Sequence, residues 1–215
     1  MFGFPVNLEL GGRRCVVIGA FPVREGKVEA LLAGGATDVL VLAESPATRL
    51  DELEARDGVR VERRAWRRGD LDGAFLAIAA APNGEERDAI ARAARERHVL
   101  VNLVDDTPNC DWAMPASVRR GDLLLTVGTG GASPALARKV RESLEAEYGP
   151  EWAEVLRILR EVRAETLARI PSFGDRAQRW RAALDPAEAA RLVREGRAGE
   201  LRATLRARLL QETSA

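Results

Sequence analysis

The sequence is poor in the residue types that most often bind metal ions or form covalent cross-links. Its 215 residues include one histidine, two cysteines and two lysines, Lys27 and Lys139. Cys15 falls in a predicted strand and Cys110 in a predicted loop, so a disulfide framework is not expected. Neither cysteine has a second cysteine or a histidine near it in the sequence. No resident metal site is therefore predicted.

Long apolar runs and an excess of charge of one sign are also missing. No apolar run approaches the roughly 20 residues that a membrane-spanning helix needs, and the N-terminus shows no signal-peptide pattern. Thirty-three basic residues balance 33 acidic residues, so no global electric field favours nucleic acid or a membrane surface. We expect a cytoplasmic globular protein that binds neither.

What the chain does contain is a regular alternation of apolar strands and helices. Strands are predicted at 13–18, 38–42, 59–63, 74–80 and 99–104, with helices between them. Continuous apolar strands are typical of a parallel sheet that is covered on both faces. The pattern predicts an α/β fold, a Rossmann-like doubly wound parallel sheet, followed by a small all-helical C-terminal region. The expected domains are 1–115 for the sheet, 116–150 for a central segment and 151–215 for the helical region.

The first strand ends in a glycine turn that is typical of dinucleotide-binding folds. Gly19 follows the apolar run Cys15–Ile18, and Pro22 suits the first turn of the next helix. In the nucleotide fingerprint, the first glycine makes the turn and two later glycines admit the pyrophosphate and the helix. Phe21 and Arg24 occupy those two later positions. The alternative is a tight strand–helix turn without a ligand.

An acid follows the second strand close to the spacing at which dinucleotide folds bind the ribose hydroxyls. This acid is Glu44, directly after Ala43. The candidate residues for a nicotinamide cofactor are therefore Gly19, Pro22, Val23, Ala43 and Glu44.

A second candidate site follows the fifth strand. Asp105 and Asp106 lie there, and ligands of open parallel sheets bind beyond the carboxyl ends of the strands. An acid near apolar neighbours such as Trp112 and Met114 has a raised pKa and suits general acid–base catalysis. The alternative is that the two acids cap a loop and that Asn102 satisfies backbone groups.

A third candidate site is the glycine-rich run at 126–133 that precedes a helix opened by Ser133 and Pro134. Glycines before a capped helix leave N–H groups free for an anion. Arginines near this run, at positions 119, 120 and 138, suit the binding of carboxylates. The alternative is that each arginine is a solvated surface charge.

Taken together, these segments resemble the precorrin-2 dehydrogenase/sirohydrochlorin ferrochelatase family, the N-terminal module of siroheme synthase. The motifs that carry the resemblance are Val101-Asn-Leu-Val-Asp-Asp106, Cys110-Asp-Trp-Ala-Met-Pro115, Thr129-Gly-Gly-Ala-Ser-Pro-Ala-Leu-Ala-Arg138 and Phe4-Pro-Val-Asn-Leu-Glu-Leu-Gly-Gly-Arg-Arg-Cys15. The likeness extends over nearly the whole chain.

The resemblance implies an NAD-dependent oxidation of precorrin-2 to sirohydrochlorin and, in some members, insertion of Fe²⁺ as a substrate metal. It implies that Asp105 is the catalytic aspartate and that the chain forms a homodimer, with 116–150 serving dimerisation and the tetrapyrrole substrate. The implied substrate-binding residues are Asn102, Arg119, Arg120, Thr129, Gly130, Gly131, Ser133 and Arg138.

The departures from the family concentrate in the nucleotide half. The family has Gly-Gly-Gly-x-Val-Ala-x-Arg-Lys where this chain has Gly19-Ala-Phe-Pro-Val-Arg-Glu-Gly-Lys27. It has Ala-Thr-Asp-Asp where this chain has Ala80-Ala-Pro-Asn83, and a serine where this chain has Gly128. Two alternatives to the dehydrogenase therefore remain: an NAD-independent sirohydrochlorin metal chelatase, or a non-catalytic tetrapyrrole-binding protein with a degenerate NAD site.

Overall fold

The computed structural model describes residues 4–19, 23–44 and 50–210 of the chain. The chain divides into two compact units, Met1–Met114 and Pro115–Ala215. This division lies next to the boundary expected after residue 115, and the further division expected after residue 150 stays a prediction. Among the described residues, no helix is long and apolar enough to cross a membrane.

The first unit is a five-stranded sheet with helices between its strands. Its elements are β1 (Arg14–Gly19), α1 (Val23–Ala33), β2 (Asp38–Leu42), α2 (Leu50–Glu54), β3 (Val59–Glu62), β4 (Leu76–Ala80), α3 (Gly84–Glu96) and β5 (Leu100–Leu103). All strand pairs are parallel, in the order β3-β2-β1-β4-β5. The chain reverses its winding direction between β1 and β4, which is the topology of a doubly wound sheet. The predicted fold class is confirmed.

The sheet is buried on both faces by two apolar clusters. In β1, Cys15 and Val17 belong to one cluster, whereas Val16 and Ile18 belong to the other. The helices α1 and α2 cover the first face, and α3 covers the second. Because successive side chains of a strand point to opposite faces, a strand covered on both sides has to be apolar throughout. This explains the continuous apolar runs in the sequence.

The second unit combines a two-stranded antiparallel hairpin with five helices among the described residues. The elements are β6 (Ala116–Arg120), β7 (Leu123–Val127), α4 (Pro134–Glu147), α5 (Glu151–Arg169), α6 (Phe173–Ala183), α7 (Pro186–Arg194) and α8 (Ala198–Leu210). The strand β6 is not predicted from the sequence, because only Val118 of that strand is buried. A single buried side chain gives no apolar alternation to detect.

The helices of the second unit share one apolar core. Val155, Ile158 and Val162 on α5 are fully buried against residues of α7 and α8, including Leu192 and Leu205. The helix α4 begins where the sequence predicts. The Ser133 hydroxyl accepts a hydrogen bond from the Leu136 N–H at 3.1 Å and so caps the helix.

Candidate active site

Gly19 ends β1 and has a role in sheet packing that only glycine can fill. It pairs with Ala80 of β4, and its backbone has a φ of 108°. A Cβ atom at this position would lie 1.9 Å from the Ala80 carbonyl oxygen, far inside van der Waals contact. Gly19 therefore lets β1 and β4 approach each other closely at the carboxyl edge of the sheet. Pro22 lies outside the described residues, as does Phe21, and the side chains of Val23 and Arg24 are not described.

A cavity of about 180 Å³ opens beside Gly19 at the carboxyl edge of the sheet. Its lining residues come from the ends of β1 and β2 and from the segments after β3 and β4: Ile18, Gly19, Leu42, Glu44, Arg64, Ala65, Trp66, Ala80, Pro82 and Glu86. Ligand pockets are usually larger, about 300–1,000 Å³, so this cavity suits one part of a dinucleotide.

The chemistry of the lining fits the adenosine part. The exposed carboxylate of Glu44 directly follows β2, where an acid accepts hydrogen bonds from ribose hydroxyls. Leu42 and Pro82 together with the indole ring of Trp66 offer apolar and aromatic surface for a base. Ala43 is buried, and its N–H donates to the Glu62 carbonyl at 3.1 Å. Ala43 thus orients Glu44 and has no donor left for a ligand.

Arg64 lines the same cavity, but its charge is already paired. Its two terminal nitrogens donate to the two carboxylate oxygens of Asp70 at 2.8 and 2.7 Å, and Arg64 also binds Glu62. The Arg64 guanidinium is the main reason that the pKa of Asp70 is lowered, and the Arg67 N–H contributes. The same bonds raise the pKa of Arg64. Arg64 therefore has little capacity left for a phosphate.

Of the charged and aromatic residues in this lining, three were not predicted from the sequence: Arg64, Trp66 and Glu86. Arg64 and Trp66 follow β3 directly, and Glu86 lies in the first turn of α3 after β4. Their positions after strands are the sequence signal that could have identified them, because the segments after parallel strands meet at one edge of the sheet.

Asp105 lies at the same edge, beyond the carboxyl end of β5. Its side chain is exposed, its backbone is left-handed with a φ of 60°, and its carboxylate has no hydrogen-bond partner among the described residues. Asp106 differs, because it accepts from the Asn109 amide at 2.9 Å. Trp112 and Met114 are partly buried and pack against the apolar core.

Asn102 is held within β5 and the segment that follows. Its side-chain amide donates to the Trp112 carbonyl at 2.9 Å. This bond joins the strand to the returning chain. Asn102 is a predicted substrate-binding residue, and its side-chain carbonyl oxygen is available to accept a hydrogen bond.

The remaining predicted substrate residues belong to the second unit. Gly130 and Gly131 have left-handed backbones before α4, and the Thr129 hydroxyl lies 3.3 Å from both the N–H and the carbonyl oxygen of Ser133. These bonds close a compact turn in front of the helix.

Of the three arginines, two are engaged. Arg120 donates to the carbonyl oxygens of Tyr148 and Glu145 at 2.9 and 3.2 Å, so it caps the C-terminal end of α4. Arg138 forms an exposed pair with Glu142 at 2.9 Å. The Arg119 guanidinium has no partner within the part of the chain that the structure describes. Arg119 is thus the most available carboxylate-binding group of the three.

Metal-binding side chains do not cluster in the described ranges, where no group of three or more His, Cys, Asp or Glu residues is placed to hold an ion. Both cysteines are free. Burial raises the pKa of the Cys110 thiol, and the nearby Asp106 and Asp111 carboxylates raise it further. A protonated thiol is not a metal ligand.

Comparison with known proteins places this geometry in a family. The chain matches a family described as putative NAD(P)-binding over residues 6–116. It is 34% identical over 194 residues to the siroheme synthase of Methylococcus capsulatus, covering 90% of this chain and 40% of that protein. It is 33% identical over 181 residues to the siroheme synthase of Photobacterium profundum, covering 84% and 38%. The chain thus spans about two fifths of the length of these curated relatives.

A solved structure described as "SirC, precorrin-2 dehydrogenase" has the same fold. It aligns with a TM-score of 0.63 at 24% identity and covers 97% of this chain and 98% of its own. The predicted resemblance to siroheme synthases is confirmed by the curated relatives. Because the matched region contains β1 to β5 and the cavity at Glu44, and makes up more than half of the sequence, the chain belongs to the putative NAD(P)-binding family.

Proposed function

We propose that the chain oxidises precorrin-2 to sirohydrochlorin with NAD as the hydride acceptor, a step in siroheme biosynthesis. The siroheme synthase relatives, the fold shared with a precorrin-2 dehydrogenase and the NAD(P)-binding family support this function. The observation that carries it is the position of Asp105. Its free carboxylate lies at the edge of the sheet that also holds the Glu44 cavity.

The reaction removes one hydride and one proton from the macrocycle. NAD, when bound, supplies the acceptor for the hydride. Glu44 holds the cofactor by accepting hydrogen bonds from its ribose hydroxyls. Asp105 takes the proton as a carboxylate and returns it to solvent, to which its side chain is open. Within the second unit taken by itself, Arg119 is the arginine best suited to bind a carboxylate, because its guanidinium has no partner among the described residues.

The proposal is tested by incubating the protein with precorrin-2 and NAD and following sirohydrochlorin by its absorbance. The matched variant is Asp105→Asn, because asparagine tolerates the left-handed backbone and removes only the base. General-base catalysis contributes about 10²–10⁴-fold, so we expect a loss of that size with NAD affinity unchanged. Absence of turnover by the wild-type protein, or equal turnover by the variant, would contradict the proposal.

NAD is the proposed cofactor rather than NADP. The carboxylate of Glu44 at the ribose position repels a 2′-phosphate. Arg64, the cation in the cavity lining, is paired with Asp70 and Glu62, so it does not offset that repulsion.

Metal insertion into sirohydrochlorin is a second candidate function, favoured by the same exposed Asp105. Metalation requires the pyrrole nitrogens to lose protons, and a free carboxylate accepts them. Fe²⁺ or Co²⁺ added to sirohydrochlorin without NAD should then give a spectral change that Asp105→Asn abolishes. A protein that only carries tetrapyrroles would bind sirohydrochlorin, catalyse neither reaction and be indifferent to this variant.

We further propose that the second unit forms a homodimer through α4. None of the residues of α4 is buried. Leu136 and Val140 are 53% and 38% exposed and lie four residues apart on one helix face. Light scattering should give twice the mass of the chain for the wild-type protein and a lower mass for Leu136→Glu. A wild-type monomer would contradict this proposal.

A further inference from the structure

Residues of the loop after β5 return along that strand and bind its open edge. β5 is an outer strand of the sheet, so the N–H and C=O groups of Val101 and Leu103 that point away from β4 have no strand partner among the described residues. The Asp111 N–H donates to the Val101 carbonyl at 2.8 Å, and the Val101 N–H donates to the Asp111 carboxylate at 2.9 Å. The edge at Val101 is thereby satisfied by a single residue.

Cys110 performs the same task one step further along the strand. Its sulfur accepts from the Leu103 N–H at 3.0 Å and lies 3.2 Å from the Leu103 carbonyl oxygen. It also lies 3.3 Å from the Asp106 carbonyl oxygen. The sulfur thus contacts the backbone on both sides of Asp105.

Asp105, which lies between these contacts, has a left-handed backbone conformation that its surroundings have to stabilise. A left-handed conformation is unfavourable by roughly 1–2 kcal/mol for a residue with a Cβ atom, and it persists only where the surroundings fix it. Within the loop, the Asp106 N–H donates to the Leu103 carbonyl at 3.3 Å. The Cys110 sulfur adds contacts to both of these residues and closes the turn around Asp105.

The thiol has to keep its proton to make these contacts. A protonated thiol both accepts and donates a hydrogen bond. Here the sulfur has two donors within reach, the Leu103 N–H and the Asn102 amide at 3.7 Å, and two acceptor oxygens. A thiolate would face the carbonyl oxygens of Leu103 and Asp106 without a proton. Burial and the neighbouring Asp106 and Asp111 carboxylates raise the pKa of Cys110, which keeps the thiol neutral at physiological pH.

We propose that Cys110 is the positioning residue of Asp105: its thiol joins Leu103 to Asp106 and so fixes the direction of the Asp105 carboxylate. This inference rests on the proposed dehydrogenase function for its kinetic consequence. It gives Cys110 a task in catalysis without contact with substrate or metal.

The kinetic test compares Cys110→Ala, Cys110→Ser and the control Cys15→Ala. Cys15 is buried in β1, and among the described residues its sulfur reaches only the Arg13 carbonyl, at 3.7 Å. A misplacement of about 1 Å lowers rates by as much as 10²-fold, so kcat of Cys110→Ala should fall at least tenfold with KM and NAD affinity unchanged. Serine also accepts and donates, so Cys110→Ser should retain most of the activity. Cys15→Ala should behave as wild type.

A double-mutant cycle separates positioning from a general structural role. If Cys110 acts through the carboxylate of Asp105, then Cys110→Ala should cause no further loss in the Asp105→Asn background. A loss of the same factor in both backgrounds, or a kcat of Cys110→Ala within twofold of wild type, would overturn the inference. Wild-type protein without turnover would instead overturn the proposed function.

Amide hydrogen exchange gives a readout that needs no turnover. The peptide that spans residues 103–110 should exchange about tenfold faster in Cys110→Ala than in wild type or Cys110→Ser, because both flanks of Asp105 lose the sulfur contact. Unchanged exchange in Cys110→Ala would show that the thiol does not hold this loop, and the inference would fail whatever the enzyme does.

Discussion

At the scale of single residues, two described residues other than glycine have a left-handed backbone, for different reasons. His98 has a φ of 55° and follows the end of α3, where the Val99 N–H donates to the Ala94 carbonyl at 2.9 Å. This position after a helix is usually occupied by glycine. Asp105 follows a strand instead, so no helix end accounts for its conformation. Strain of this kind is concentrated at functional sites.

Because His98 lies at a helix end and Asp105 does not, we expect the residue at position 98 to affect stability and the residue at position 105 to affect activity. His98→Gly should raise the free energy of unfolding by about 0.5–1 kcal/mol, because glycine adopts this backbone without a Cβ clash. Urea unfolding measures the change, and precorrin-2 turnover should stay at the wild-type rate. The control His98→Ala keeps the Cβ atom and should bring no gain. A less stable His98→Gly protein would show that the histidine side chain contributes contacts beyond the helix end.

At the scale of elements, the connection between β3 and β4 depends on one buried carboxylate. Asp70 is 9% exposed, and it accepts two bonds from Arg64 and one from the Arg67 N–H at 2.6 Å. These bonds hold the segment that carries Trp66 against the cavity. The Arg64 guanidinium and the Arg67 N–H keep the pKa of Asp70 below its ordinary value.

The lowered pKa of Asp70 predicts a pH-dependent contribution to stability. Because the folded pKa lies below the unfolded value of about 3.9, this contribution is fully present above about pH 5 and is lost as the pH falls through the folded pKa. Asp70→Asn should lower the free energy of unfolding by about 2 kcal/mol at pH 7. The two proteins should become more alike as the pH is lowered below 4. Urea unfolding at several pH values tests this, and a difference that is independent of pH would contradict it.

The elements that could be predicted from the sequence are those in which burial produces a recognisable pattern of apolar residues. The three inner strands, β1, β2 and β4, are almost entirely apolar because both faces of the sheet are covered, and β2 begins and ends at the predicted residues. The strand β6 was missed because only one of its five residues, Val118, is buried. The bonds of Cys110 to Leu103 were missed for another reason, since a sulfur that binds the backbone of an edge strand leaves no periodic signal.

At the scale of the whole molecule, the sequence predicts the fold class and the family, but only part of the lining of the cavity beside Gly19. Gly19 and Glu44 were predicted because dinucleotide folds place them at fixed spacings from the first strand. Trp66 and Arg64 reach the same cavity through the sheet topology, which no local spacing encodes. Arg120 was expected to bind substrate by its charge, whereas the structure shows its guanidinium bonded to carbonyl oxygens at the end of α4. Charge can be read from a sequence, but the partner of a charge cannot.

Calorimetric titration with NAD tests most directly whether the sheet unit works as a dehydrogenase domain. We predict saturable binding of NAD to one site per chain, with NADP bound at least tenfold more weakly. Hydrogen bonds to a charged group contribute about 1.5–3 kcal/mol, so Glu44→Ala should weaken NAD binding at least tenfold, whereas Asp105→Asn should leave it unchanged. Failure of the wild-type protein to bind NAD, or equal binding by the wild type and Glu44→Ala, would contradict a nicotinamide cofactor in the cavity beside Gly19.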